Sequence, residues 1–133
     1  MSQYLHSTIT GSIIATAKRV YAQLGSGQRE TPCVAALATA LRNDQFEVST
    51  QVRAPVKDEN GRIVTVQITD LVINDRVAIE VKAIGEINDS HKAQLRAWLR
   101  SNGVVAVGLV INFGPTLEYA RVFESTNYDA LHP

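Results

Sequence analysis

The sequence predicts an α/β (α+β) fold in which a mixed β-sheet of about five strands is flanked by helices. Three observations favour this fold. Apolar residues recur at three- and four-residue spacing near the N-terminus, alternate with polar residues from Phe46 onwards, and run almost unbroken over 104–113. The unbroken stretch is typical of a strand at the centre of a sheet. The predicted order of elements is α-α-β-β-β-α-β-β.

The two predicted N-terminal helices comprise residues 8–24 and a second segment that begins near Thr31 and Pro32. Gly25 can supply the left-handed turn that ends the first helix. Proline in the first turn of the second helix loses no hydrogen bond, because that position has no partner within the helix. The apolar stripe of the second helix comprises four residues, Val34, Leu37, Ala38 and Leu41.

The first three strands are expected to form an antiparallel meander. The strand that starts at Phe46 is predicted to lose its regular pairing at Pro55, since proline cannot donate to the ladder. β-Branched residues dominate 63–73, and residues 77–82 follow after a short turn at 74–75.

The rest of the chain predicts a helix over 90–101, closed by Gly103, and then strands over 104–113 and 117–124. The connection through this helix would be a right-handed crossover if its flanking strands are parallel. Residues 125–133 are polar and carry no pattern, so we expect a loosely held tail.

Length and composition favour one domain over 1–133, with its core at about 8–124. The chain has 133 residues, of which 45% are hydrophobic and 20% charged, as is usual for a folded protein. A single cysteine, Cys33, cannot form an internal disulfide, and we find no signal peptide or membrane-spanning apolar run. We therefore expect a cytoplasmic protein without a membrane partner. The net charge is zero, so binding of nucleic acid would require a local basic cluster.

Three charged residues interrupt the apolar strands of the meander. Asp70 follows Ile68 in the long strand, while Glu80 and Lys82 lie two apart on the next strand and therefore project to one face. The short turn between the strands would set Asp70 opposite Glu80 or one place from it. Two carboxylates and an ammonium would then converge at one edge of the sheet.

This trio suits metal-dependent hydrolysis of phosphodiesters. Two carboxylates and a strand carbonyl can bind Mg²⁺, or Mn²⁺, which would activate a water molecule, while Lys82 could orient that water or stabilise charge on phosphorus. The alternative is that Asp70, Glu80 and Lys82 form the solvent face of a sheet, with surface ion pairs across it.

The spacing Asp70-x9-Glu80-Val81-Lys82, followed by a helix that carries Gln94, resembles the PD-(D/E)XK nuclease superfamily. Most of the chain is also similar to the GxxExxY family within it. The matching segments are 20–25, 27–30, 36–37, 69–72, 78–83 and 109–114. The resemblance implies a restriction-endonuclease-like core.

The resemblance also implies roles for individual residues. Asp70 and Glu80 would bind the metal, Lys82 would be the catalytic lysine, Glu30 would be a further metal ligand or a supporting acid, and Gln94 would help to organise the site. Two aromatic positions of the pattern differ here, because Cys33 follows Glu30 by three residues and Trp98 follows Gln94 by four. From the residues alone, Glu30 can also be a favourable acid at a helix N-terminus, and Cys33 a small buried hydrophobe.

The 90–101 helix offers the local basic cluster. Lys92, Arg96 and Arg100 recur every four residues beside its apolar side and predict contacts with nucleic acid, or else a solvated helix face. The first functional hypothesis is a metal-dependent nuclease, for which DNA is a better candidate substrate than RNA. The alternatives are a nuclease-fold module that binds nucleic acid or protein without catalysis, and a structural or dimerisation domain. A homodimer or larger assembly is possible in each case.

Overall fold

A computed structural model describes the backbone of residues 5–131 and the side-chain surroundings of residues 5–129. It contains a five-stranded sheet with helices on both faces. The helices are α1 (Ser7–Leu24), α2 (Glu30–Asn43), α3 (Asp89–Asn102) and α4 (Ser125–Leu131). The strands are β1 (Val48–Lys57), β2 (Ile63–Ile73), β3 (Val77–Lys82), β4 (Val107–Phe113) and β5 (Leu117–Phe123).

The sheet has the strand order β1-β2-β3-β4-β5 and is mixed. The β3 and β4 strands are parallel and are joined through α3, while every other neighbouring pair is antiparallel. The predicted fold class and order of elements are therefore confirmed. All seven residues of β4 are buried, as the unbroken apolar stretch predicted for a central strand.

Two apolar layers cover the two faces of the sheet. The α1 and α2 helices pack on alternate residues of the central strands, including Leu71, Ile79 and Ile111. The α3 helix covers the opposite face with Leu95, Trp98 and Leu99. Gly108 in β4 allows this close approach. A Cβ atom there would lie 2.7 Å from Leu95 Cδ2.

The turn between β2 and β3 uses two residues in the left-handed conformation, Asn74 and Asp75, with φ angles of 53° and 55°. This pair of positive φ angles matches the twist of a tight antiparallel hairpin. The turn places β3 directly beside β2 and thereby brings Glu80 close to Asp70.

Two expectations are corrected by the structure. Pairing of β1 does not end at Pro55, which lies opposite Val66 while the strand continues to Lys57. Proline is tolerated there because β1 is an edge strand. Residues 125–131 are not a loose tail but form α4, and the buried Asn127 amide donates to the carbonyls of Leu99 and Val105, both at 2.7 Å. Residues 132–133 lie outside the described residues.

Within residues 5–131, no helix combines the length and apolar character that crossing a membrane requires.

Candidate functional site

The β2 and β3 strands pair only over a short ladder, from Ile73 opposite Val77 to Leu71 opposite Ile79. Asp70 and Glu80 are the next residues along the two strands. Beyond the ladder, β2 and β3 are joined by hydrogen bonds between side chains and backbone instead of bonds between backbone groups. The Thr69 hydroxyl donates to the Ile79 carbonyl at 3.0 Å. The Val81 N–H donates to Asp70 Oδ2 at 2.7 Å, which fixes one oxygen of that carboxylate.

The backbone of β1 is also irregular opposite Asp70. Thr50 pairs with Leu71 and Val52 pairs with Thr69, but no pair joins Gln51 to Asp70. Gln51 has a φ of 50°, a left-handed conformation that is unfavourable for a residue with a side chain in a strand. Such strain clusters at functional sites. It lies here directly beside the carboxylate pair.

Glu80 is only 8% exposed and carries the most perturbed carboxyl group of the site. Its pKa is raised from an ordinary 4.5 to about 8, first by burial and then by the charge of Asp70 and a hydrogen bond with the Asp70 side chain. The Lys82 ammonium opposes this rise, while Glu30 adds a small increase. The buried Glu80 carboxyl group therefore meets the half-buried carboxyl group of Asp70, with one cation close by.

Glu30 is the first residue of α2 and is exposed. It lines a cavity of about 410 Å³ between α2 and β1, and Asp70 contributes to the same wall. The negative charge of Glu30 raises the pKa of two neighbouring groups. Burial and the Glu30 charge raise the pKa of the Cys33 thiol, and Glu30 also raises the pKa of Glu80. Glu30 therefore borders the carboxylate pair as an acid at a helix N-terminus.

The donor set fits a hard divalent cation with few protein ligands. Two carboxylates crowded away from water repel each other, and a cation between them would relieve that repulsion. Mg²⁺ is commonly held by one or two carboxylates and keeps several waters. Across residues 5–131, no group of three or more His, Cys, Asp and Glu side chains lies ready to bind a metal.

Gln94 lies on the exposed side of α3, next to the buried Leu95. Within the described part of the chain, no hydrogen bond joins Gln94 to Asp70, Glu80 or Lys82. Trp98 is 1% exposed and its indole N–H donates to the Val52 carbonyl at 3.0 Å, so this ring is a core residue that offers no stacking surface. Cys33 is likewise a buried, unpaired thiol.

The basic stripe of α3 is partly neutralised. Lys92 Nζ lies 3.7 Å from Asp89 Oδ1, and Arg100 Nε donates to Glu124 Oε2 at 2.9 Å. Arg96 alone of the three cations has no ion pair in the described residues. The Glu124 carboxylate follows β5 directly, so no spacing within α3 could indicate it.

Asn112 is a residue that the sequence did not single out. This buried side chain accepts from the Ile84 N–H at 3.0 Å and donates to the Ile84 carbonyl at 3.1 Å and to Glu118 Oε1 at 2.9 Å. Glu118 in turn accepts from the Ile87 N–H at 3.2 Å. These bonds hold the segment that follows Lys82. The only signal was a polar residue near the end of an otherwise apolar strand.

Comparison with known proteins concerns the family and the fold. The family model of the PD-(D/E)XK nuclease superfamily matches residues 7–122. No curated protein matches the chain in sequence. One similar solved structure is described as the crystal structure of SSO0001, with 18% identity and a TM-score of 0.53 over 91% of this chain. The match covers 53% of that structure, so this chain spans about half its length and shares its fold.

Proposed function

Because this chain belongs to the PD-(D/E)XK nuclease superfamily, we propose that it is a divalent-metal-dependent nuclease that hydrolyses phosphodiester bonds, in DNA rather than RNA. The observation that carries the proposal is the pair of carboxyl groups in which the buried Glu80 meets the half-buried Asp70 beside Lys82. The matching segments of the sequence, such as 27–30 and 78–83, favour the GxxExxY family within the superfamily.

Asp70 and Glu80 are the proposed ligands of Mg²⁺ or Mn²⁺, with Glu30 as a further ligand or supporting acid. When bound, such an ion polarises a phosphodiester and lowers the pKa of a coordinated water. The protein contributes the position of the ligands. The Val81 N–H anchors one Asp70 oxygen, and the Thr69 hydroxyl ties β2 to β3 beside it.

Lys82 is the proposed catalytic cation. It lies two residues after Glu80, so both side chains project to the same side of β3. Its charge reaches the Glu80 carboxyl, whose pKa it lowers. An ammonium at this point can hold the attacking water by a hydrogen bond and stabilise negative charge that develops on the phosphoryl oxygens.

The proposed contacts with nucleic acid come from α3. Arg96 is available for a phosphate, while Lys92 and Arg100 would exchange carboxylate partners for phosphates. Gln94 is proposed to approach the site from the exposed side of the same helix. A cytoplasmic location and assembly as a homodimer or in a larger complex complete the proposal.

Cleavage assays test the proposal. Wild type and Asp70→Asn are incubated with single- and double-stranded DNA and RNA in Mg²⁺, in Mn²⁺ and with a chelator. We expect cleavage of DNA by wild type that the chelator and the substitution each abolish, while circular dichroism shows both proteins folded. Salt-sensitive binding of DNA without turnover in Mn²⁺ would contradict the nuclease and support the non-catalytic binding module instead.

A further inference from the structure

The β1–β2 hairpin carries an exposed apolar surface that the proposed nuclease site does not use. The exposed fractions of Ile63, Val64, Val66 and Ile68 lie between 40% and 62%. Among the described residues, the other large hydrophobic side chains with high exposure are Val104 and Tyr119, which lie on different elements. The concentration on one hairpin therefore calls for a cause, because contiguous exposed apolar patches mark interaction sites.

Three of these residues lie on one face of the hairpin. Val66 and Ile68 are two residues apart in the regular part of β2 and project to the same side, and Val64 continues this surface at a β-bulge, where the register shifts between Val56 and Lys57. Pro55 and Arg53 lie opposite Val66 and Ile68 on β1. We call this surface, formed by Val64, Val66, Ile68, Arg53 and Pro55, the hairpin face.

The other side of the hairpin is already covered. Ala54 is buried in the apolar layer beneath α3, and Gln67 Oε1 accepts from the Ser101 hydroxyl at 3.3 Å. These two residues are opposite each other in the ladder, so both strands turn the same side towards α3. The hairpin face therefore points away from α3.

The chain itself indicates that association uses this face rather than the open edge of β1. Pro55 removes one donor from the edge, and Lys57 places a charge there. Both devices are typical of edge strands that are protected from pairing with another strand. Packing of one face on another requires no such pairing.

We propose that the hairpin face binds the hairpin face of a second copy of this chain, in a two-fold symmetric dimer. A two-fold axis near Val66 would bring Ile68 of one copy against Val64 of the other, so that apolar residues meet along the stripe. The charges are self-complementary in the same arrangement. The hairpin tip, 57–60, carries two acids and one lysine, and its exposed Glu59 would approach Arg53 at the base of the other hairpin.

A second copy fits this face better than nucleic acid does. The face has no aromatic side chain for stacking on bases, and Arg53 is its one cation. Arg62 at the tip lies 4.0 Å from Asp58, whose side chain also accepts from the backbone of the turn. The apolar centre with charges at its rim is the usual composition of a protein interface.

The dimer would bring the hairpin of the second copy close to the nuclease site. Ile68 lies two residues before Asp70 on β2, so one end of the hairpin face lies next to the carboxylate pair. The hairpin face consists of five residues, which is few beside the roughly 20–30 residues per partner of a standard interface. We therefore expect a dimer whose population depends on protein concentration.

Sedimentation equilibrium over a wide range of concentration tests this proposal. Wild type is compared with Val66→Lys and with Val104→Lys, a control in which another exposed valine, outside the hairpin, is replaced. We expect wild type and the control to dimerise alike. The dissociation constant of Val66→Lys should rise by roughly tenfold or more. Thermal melting with unchanged cooperativity shows that each variant is folded.

A charge exchange fixes the arrangement of the two copies. Glu59→Lys alone should weaken the dimer, and the double variant Arg53→Glu with Glu59→Lys should restore it. Wild type that stays monomeric at every concentration would overturn the proposal. So would a dimer that Val66→Lys leaves intact, or a monomeric wild type whose affinity for DNA is lost on Val66→Lys. None of these outcomes depends on cleavage, so they are independent of the nuclease proposal.

Discussion

The two halves of β2 depart from the usual distribution of side chains in opposite directions. Near its end, at Asp70, a carboxylate meets the buried Glu80, which is 8% exposed. Near its beginning, Val64 and Val66 are exposed to solvent. A buried charged group and an exposed apolar surface each lower the stability of a protein unless a binding partner compensates the cost. The comparison indicates two missing partners on one strand, a cation for the C-terminal half and a protein surface for the N-terminal half.

The largest expected effect concerns Lys82. Replacing Lys82 by methionine removes the ammonium beside the carboxylate pair and should lower the rate of DNA cleavage by about a hundredfold to a thousandfold. Lys18→Met, which removes an exposed cation from α1, is the matched control and should cleave like wild type. Steady-state kinetics with Mg²⁺ measures the effect. Equal rates for the two variants would remove Lys82 from the chemistry.

The pH dependence of stability tests the buried half of the comparison. The pKa of Glu80 is raised to about 8 in the folded protein, so the folded state holds this proton more tightly than the unfolded chain. The free energy of unfolding of the metal-free protein should therefore fall as pH rises from about 4.5 towards 8. In Glu80→Gln this contribution is absent. The difference in free energy of unfolding between wild type and Glu80→Gln should therefore change by on the order of a few kcal/mol across that window.

Urea unfolding of both proteins at pH 5 and pH 8, with a chelator present, measures this difference. If the free energies of unfolding of wild type and Glu80→Gln vary with pH in parallel, burial beside Asp70 does not shift the pKa of Glu80. Such a result would weaken the case for a missing cation at this position.

The smallest expected effect concerns the exposed N-terminal half of β2. Val64→Thr keeps the β-branched shape but adds a hydroxyl on a surface that faces solvent in the single copy. The free energy of unfolding of the monomer should change by no more than about 0.5 kcal/mol. A larger loss in dilute solution, measured by urea unfolding, would mean that Val64 packs within the single chain.

Much of the fold could be predicted because apolar patterning decides it. The bounds of β3 agree with the predicted 77–82, and β4 is central as its composition indicated. Pro55 was misread because only the neighbouring strands reveal that β1 is an edge. Helix α4 was missed because its stability depends on the Asn127 amide, whose acceptors are backbone carbonyls at Leu99 and Val105.

The candidate site shows the same division. The two-residue spacing of Glu80 and Lys82 and the short turn after β2 were sufficient to bring Asp70 beside Glu80. The depth at which Glu80 is buried could not be predicted, because it depends on how β2 and β3 separate beyond Leu71. The ion pair between Arg100 and Glu124 was also beyond prediction, since it joins residues 24 positions apart.

The central claim is that Asp70 and Glu80 together form a site for one divalent cation. Isothermal titration of Mn²⁺ into metal-free wild type, Asp70→Asn and Glu80→Gln tests it most directly. We predict one bound ion in wild type and affinities at least about tenfold lower in both variants. Equal affinity in all three proteins, or no binding by wild type, would contradict the claim.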